Sequence, residues 1–233
     1  AFWAKDPAGT WTRYAEVNGT QYVNGQPQNF TNKYYSRVGT TFEIGRSVLL
    51  PNDSNLASYL RLWLDVNEPA TIVKDTSNRV STFYDKSGCG NTFTQSVLGR
   101  QPIWTTNILN GNPVLTFTAA SSQTMTNATI FTAPVTVFVV ERLTGGANSR
   151  MLSAANIAGN WLLGFHGGTR NDAYFEGWVN DSATAANTTW SIYDCTIQGA
   201  GLNSTFYENG TSIASNLAGV TGPNGLSLSG HQG

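Results

Sequence analysis

Charge is what this sequence has least of. Lys, Arg, Asp and Glu make up only 12% of its 233 residues, about half the usual share of a soluble domain. The 13 basic and 14 acidic side chains leave a formal net charge of −1, and no Lys/Arg run exists to neutralise a row of phosphates. Nucleic acid is therefore excluded as an expected partner. Cysteine is almost as scarce. Cys89 and Cys195 are too few for a disulfide framework and lack the paired spacing of a zinc site, and sequence alone leaves open whether they bridge. No run of about 18 apolar residues is present, so no helical membrane span is expected. The start, Ala1-Phe2-Trp3, has neither a Met nor the basic-then-apolar pattern of a signal peptide. We expect a processed start or a segment of a longer polypeptide.

Helical periodicity is also missing: no window keeps apolar residues at i, i+3, i+4 and i+7 without Gly, Pro or a β-branched cluster intervening. What is present is strand and turn chemistry. Aromatics reach 12%, with 7 Trp, 9 Tyr and 11 Phe, enough apolar surface to offset ordering entropy. The run Val135-Thr136-Val137-Phe138-Val139-Val140 after Pro134 reads as a buried strand. Further strands are expected over 59–66, 80–84, 113–117, 161–166, 173–178, 190–197 and 204–207. Asn-Gly occurs five times, at Asn18, Asn24, Asn110, Asn209 and Asn224, and this dipeptide accepts positive φ at both central positions of a hairpin turn. Many short strands without intervening helices predict an all-β antiparallel sandwich.

The first 55 residues differ from the rest. Segments 2–14 and 34–46 each carry an aromatic pair, a turn containing Gly-Thr, and a return strand opening near Trp11 or Phe42, a faint echo that suits two hairpin units end to end. The polar, Pro-containing stretch Leu50-Pro51-Asn52-Asp53-Ser54-Asn55 marks the expected boundary between a hairpin region, 1–55, and a larger domain, 56–233.

Four segments then follow in a telling order: Leu62-Trp63-Leu64-Asp65, Phe83-Tyr84-Asp85-Lys86-Ser87-Gly88-Cys89-Gly90-Asn91, Arg100-Gln101-Pro102, and Asn110-Gly111-Asn112-Pro113-Val114-Leu115-Thr116-Phe117. With Thr136 to Glu141 and Phe206-Tyr207-Glu208-Asn209-Gly210-Thr211, this succession resembles the concanavalin A-like lectin/glucanase superfamily, in its bacterial, phage and large-virus laminin G-like branch. Tyr84 and Cys89 stand where Trp and Asn are commoner. The resemblance implies a jelly roll preceded by the hairpin region. It also implies a further strand beyond Gly233, so a jelly roll incomplete at its C-terminal end is the expectation. The implied role is a non-catalytic structural or surface-attachment module of a virion capsid, tail or fibre. Its implied place is the virion surface or the extracellular space, with neighbouring structural subunits as partners. The alternative role is a secreted carbohydrate-binding module that contacts cell-surface glycans.

The residues themselves add detail. Asp85 can accept hydrogen bonds from the backbone two residues on, and Gly88 supplies positive φ, so the Asp-Lys-Ser-Gly loop reads as structural. Trp63 and Phe117 alternate with smaller residues and are expected to face inward. Glycosidases of this superfamily set acidic residues two apart on a strand, yet none of the six Glu (Glu16, Glu43, Glu68, Glu141, Glu176, Glu208) has an acidic residue at i±2. His166 and His231 have no triad partners in sequence. No catalytic residue and no cofactor are therefore expected. Tyr174, Trp178 and Trp190 are the candidates for stacking on sugar rings. Asn171, Asp172, Asn180 and Asp181 could supply oxygen ligands to calcium, although turn chemistry explains them more simply. Eight Asn-x-Ser/Thr sequons, including Asn127 and Asn180, mark outward loops if the chain is glycosylated.

Overall fold

In the computed structural model, the described residues are 58–145, 150–156 and 159–230, together with the backbone of six short strands before them. The chain divides into two compact units, Ala1–Leu60 and Arg61–Gly233. In the first, β1 (Phe2–Lys5) pairs antiparallel with β2 (Trp11–Tyr14). A second sheet joins β3 (Glu16–Val17), β4 (Thr20–Val23) and β5 (Gln26–Asn29), while β6 (Glu43–Gly45) lies beside β1. Within the second echo segment, β6 thus joins the first hairpin's sheet, and the rest of that segment lies outside the described residues. The Asn-Gly pairs at Asn18 and Asn24 lie outside the described residues.

In the second unit, the strands before the central run are β7 (Ile72–Lys74), β8 (Val80–Phe83), β9 (Phe93–Thr94), β10 (Ile103–Leu109), β11 (Asn112–Thr116) and β12 (Met125–Ile130). Then come β13 (Val135–Glu141), β14 (Leu152–Ser153), β15 (Trp161–His166), β16 (Thr169–Phe175) and β17 (Trp178–Asn180). The last four are β18 (Ser191–Ile197), β19 (Ser204–Glu208), β20 (Thr211–Asn216) and β21 (Asn224–Leu228). They form a nine-stranded sheet, ordered β17-β16-β15-β14-β21-β12-β9-β8-β7, a four-stranded sheet, β13-β18-β19-β20, and the hairpin β10-β11. Every pairing is antiparallel, and no α-helix occurs among the described residues. The fold is an antiparallel β-sandwich.

Alternation along the strands explains the packing. Trp161, Leu163 and Phe165 of β15 and Ala173 and Phe175 of β16 face Tyr193, Cys195, Ile197 and Phe206 of the other sheet in one buried cluster. The Phe165 ring meets Tyr193 edge-on at 5.5 Å, tying the two sheets together, and Tyr193 stacks on Phe206 at 5.9 Å. Such aromatic pairs add about 0.5–1.5 kcal/mol beyond the area they bury. Cys195 is buried here, its thiol pushed up by burial, whereas Cys89 is exposed in the 84–91 loop, and the two are not bridged.

Several expectations are corrected. Residues 59–66 form no strand: their backbone bonds are taken by the 85–91 loop, through Trp63 N–H to Asp85, Lys86 N–H to Trp63 O and the Asn91 amide to Arg61 O. Leu62 and Leu64, not Trp63, pack on the core, and Trp63 is half-buried under the Lys86 ammonium, 4.1 Å from its ring centre. The expected strand 173–178 is broken by a turn at Glu176-Gly177 between β16 and β17. The Asn-Gly signals divide too. Asn110-Gly111 (φ 51°, 81°) and Asn209-Gly210 (φ 50°, 78°) turn hairpins as expected, but Asn224-Gly225 opens β21, a strand paired on both sides with β12 and β14.

Candidate functional site

The loop after β8 is built around Asp85. Its Oδ1 accepts from Trp63 N–H (2.9 Å) and Ser87 N–H (2.8 Å), and its Oδ2 from the Ser87 hydroxyl (2.7 Å) and Asn91 N–H (3.0 Å). Burial by itself raises the carboxyl, but these four donors outweigh it and hold Asp85 below its ordinary 3.8. Lys86 reaches back to Asp65 at 2.8 Å. Every one of these groups is spent on the loop's own shape.

A polar cluster that no sequence spacing signalled lies inside the sandwich. Glu141, at the end of β13, pairs with Ser191 of β18; one row further in, Val139 pairs with Tyr193, which pairs with Glu208 of β19. Glu208 Oε1 accepts from Arg170 Nη1 (2.7 Å), the Ser191 hydroxyl (3.0 Å) and the Tyr193 hydroxyl (3.3 Å). Burial, then the Glu208 charge, push the Tyr193 phenol up. Arg170 spans from the nine-stranded sheet to reach Glu208 because β16 is bulged. Gly164 pairs with Asp172 and Phe165 with Arg170, so Asn171, at φ 66°, is the extra residue. It reverses the alternation, leaving Ala173 and Phe175 in the core and letting Arg170 turn in to Glu208.

Glu141 sits against this group, 5% exposed, and its Oε1 has no hydrogen-bond partner. Burial raises its carboxyl well above the ordinary 4.5, which favours its protonated form. Room for it comes from Gly164, where a Cβ would lie 2.1 Å from Glu141 Oε1. Glu141 thus lies a strand away from the Glu208 group, on the strand that pairs with β18, an arrangement invisible to a search for carboxylates at i±2.

The sugar-stacking candidates separate. Tyr174 and Trp178, on paired strands, meet edge-on at 5.0 Å, and Trp178 lies 5.5 Å from the His166 ring. Trp190 stands on the other sheet just before β18, beneath the Arg142 guanidinium at 4.7 Å, its indole N–H buried without a partner. Of the calcium candidates, Asp172 is buried with both oxygens occupied, Oδ2 by the Thr169 hydroxyl (2.6 Å) and Oδ1 by Ser182 N–H (2.7 Å). The Asn180 amide donates to Asn171 O, and Asp181 is exposed. No group of three His, Cys, Asp or Glu side chains among the described residues is placed to hold a metal. The Asn127 sequon is buried, its amide donating to Thr92 O and its Oδ1 accepting from Thr129 N–H. Beside it, the break in the β12–β21 register leaves an open cleft of about 430 Å³ lined by small and amide side chains, among them Asn127, Asn156 and Asn224. His231 lies outside the described residues.

The outer face of the four-stranded sheet is the remaining candidate. Along β13, Val137 and Val139 face the core, while Phe138 (71% exposed) and Val140 (53%) point to solvent beside Ile192 (46%) of β18. Solvent-facing apolar residues clustered on one sheet mark contact surfaces more often than single exposed residues do.

No family model, curated protein or solved structure matches the chain.

Proposed function

We propose that the chain is a non-catalytic β-sandwich module that works by contact, as a structural or surface-attachment part of a larger assembly. The observation that carries this reading is the exposed apolar group Phe138, Val140 and Ile192 on a sheet whose other face packs on the core. The low charge fits a protein that meets neighbours through neutral surface. The chain's resemblance to laminin G-like jelly rolls supplies the setting, a virion capsid, tail or fibre.

A hydrolytic use of Glu141 and Glu208 would need a substrate to reach a side chain 5% exposed, with the second carboxylate already engaged by Arg170, Ser191 and Tyr193. Environments that push two carboxyls apart do occur in active sites, so turnover of β-glucans by the pure protein would count against the proposal. Mass spectrometry and cryo-microscopy of purified particles provide its direct test. The chain is expected in the particle at fixed stoichiometry, and finding it solely as a free secreted protein would overturn the reading.

One observation favours a carbohydrate-binding module instead, the adjoining rings of Tyr174, Trp178 and His166. Reproducible, competable binding on a glycan array, lost in Trp178→Ala, would establish that reading, and a blank array would dismiss it.

A further inference from the structure

Strand β13 is the end strand of its sheet, and its hydrogen-bonding direction follows from its neighbour. Asn209 N–H donates to Ile192 O at 2.8 Å, and Ile192 N–H donates to Asn209 Oδ1 at 2.9 Å, so Ile192 directs both backbone groups toward β19. In an antiparallel ladder a residue sends its N–H and C=O to the same side. Val140, paired with Ile192, therefore sends its own away from β18, off the sheet. The register from Val135↔Ile197 to Glu141↔Ser191 has no shift, which gives Phe138 and Thr136 the same orientation. Among the described residues nothing bonds to this side of β13.

Unprotected edges invite another strand, and proteins ordinarily blunt them with charge, proline, bulges or brevity. The other ends of these two sheets are managed in such ways. The Asn216 amide of β20 donates to Val179 O of β17 at 2.9 Å, and β7 is three residues long and carries Lys74. In contrast, β13 is seven residues long, unbulged and uncharged from Val135 to Val140, with Glu141 turned inward.

We propose that a second copy of this chain occupies the edge, its β13 antiparallel to the first about a two-fold axis at Phe138, joining the two four-stranded sheets into one. The inference rests on the contact reading above and names the partner. Strand and symmetry agree. With Phe138 on the axis, Thr136 faces the second copy's Val140, so the three outward-bonding residues of each strand meet those of the other. Each facing pair then exchanges two hydrogen bonds. The same pairing sets Phe138 beside its symmetry mate and Thr beside Val, favourable cross-strand neighbours, and opposes no like charges. The contact is isologous and closes on itself. Edge addition of one strand falls short of the roughly 800 Å² per partner typical of a standard interface, so the dimer forms reversibly and with concentration.

Sedimentation velocity of the whole chain, from roughly 1 μM to several hundred micromolar, is expected to move from the 25.1 kDa monomer to twice that mass. Phe138→Lys, which sets two ammonium groups against each other on the axis, should weaken association at least tenfold without changing the thermal midpoint. Ile192→Lys, on the same face but one strand in, should still dimerise. In a Cys89→Ser background, Phe138→Cys should cross-link on oxidation, because the facing Cα atoms of a hydrogen-bonded pair are about 5.5 Å apart, whereas Ile192→Cys should not. A wild-type chain monomeric throughout, or Ile192→Lys as damaging as Phe138→Lys, overturns the proposal. A chain found in particles yet monomeric in solution overturns it while leaving the contact reading in place; a dimer never found in a particle does the reverse.

Discussion

Glu141 shows what one misplaced polar group costs. Its carboxyl is buried, unpartnered and raised well above 4.5, so the folded chain retains a proton that the unfolded chain releases. Stability is then greatest below the unfolded value and falls as pH rises above about 4.5 toward the folded one. Glu141→Gln removes that titration. We expect its thermal midpoint at neutral pH to exceed the wild type's, by roughly 2–4 °C for each kcal/mol recovered, with the difference vanishing near pH 4. A wild-type midpoint that rises between pH 5 and 8 would contradict the assignment. Gly164→Ala drives a methyl into Glu141 Oε1 and against the Tyr193 ring (3.1 Å) at φ 101°. A loss of at least about 2 kcal/mol is expected by urea unfolding.

At the scale of elements, the 85–91 loop and the β16 bulge position what surrounds them. Asp85→Ala strands four donors at once, including Trp63 N–H, and should cost about 2–4 kcal/mol. The wild type should also lose this loop's contribution as pH falls below 3.8, opposite in sign to the Glu141 effect. The bulge residue Asn171 holds φ 66°. Asn171→Gly should leave the denaturation midpoint nearly unchanged, whereas Asn171→Val should cost about 1–2 kcal/mol, because a β-branched side chain resists the left-handed region. The loop's structural role was legible in the sequence, since an Asx turn is local and Asp-Lys-Ser-Gly spells it out. The bulge was not, because one extra residue in a strand shows only against the partner that it fails to match.

At the scale of the molecule, the two sheets share one core, so protection should be graded from its centre. Native-state hydrogen exchange is expected to be slowest in β15 and β18, whose inward residues Trp161, Leu163, Phe165, Tyr193 and Cys195 are almost wholly buried. It should be faster in the hairpin β10-β11, where no residue is fully buried. Equal rates in the two regions would argue against a single core centred there.

The sequence by itself determined the class of fold, several strand positions and two hairpin turns, because alternation and Asn-Gly chemistry act within a few residues. It also set the loop around Asp85. Only the tertiary structure decided that residues 59–66 give up their strand to bond that loop, that Trp63 stays under Lys86, that Arg170 reaches Glu208 between the sheets, and that Glu141 is buried without a partner. Those outcomes depend on which distant strands become neighbours, and pairing between remote segments is fixed by how both faces fill the core, a property no local window contains.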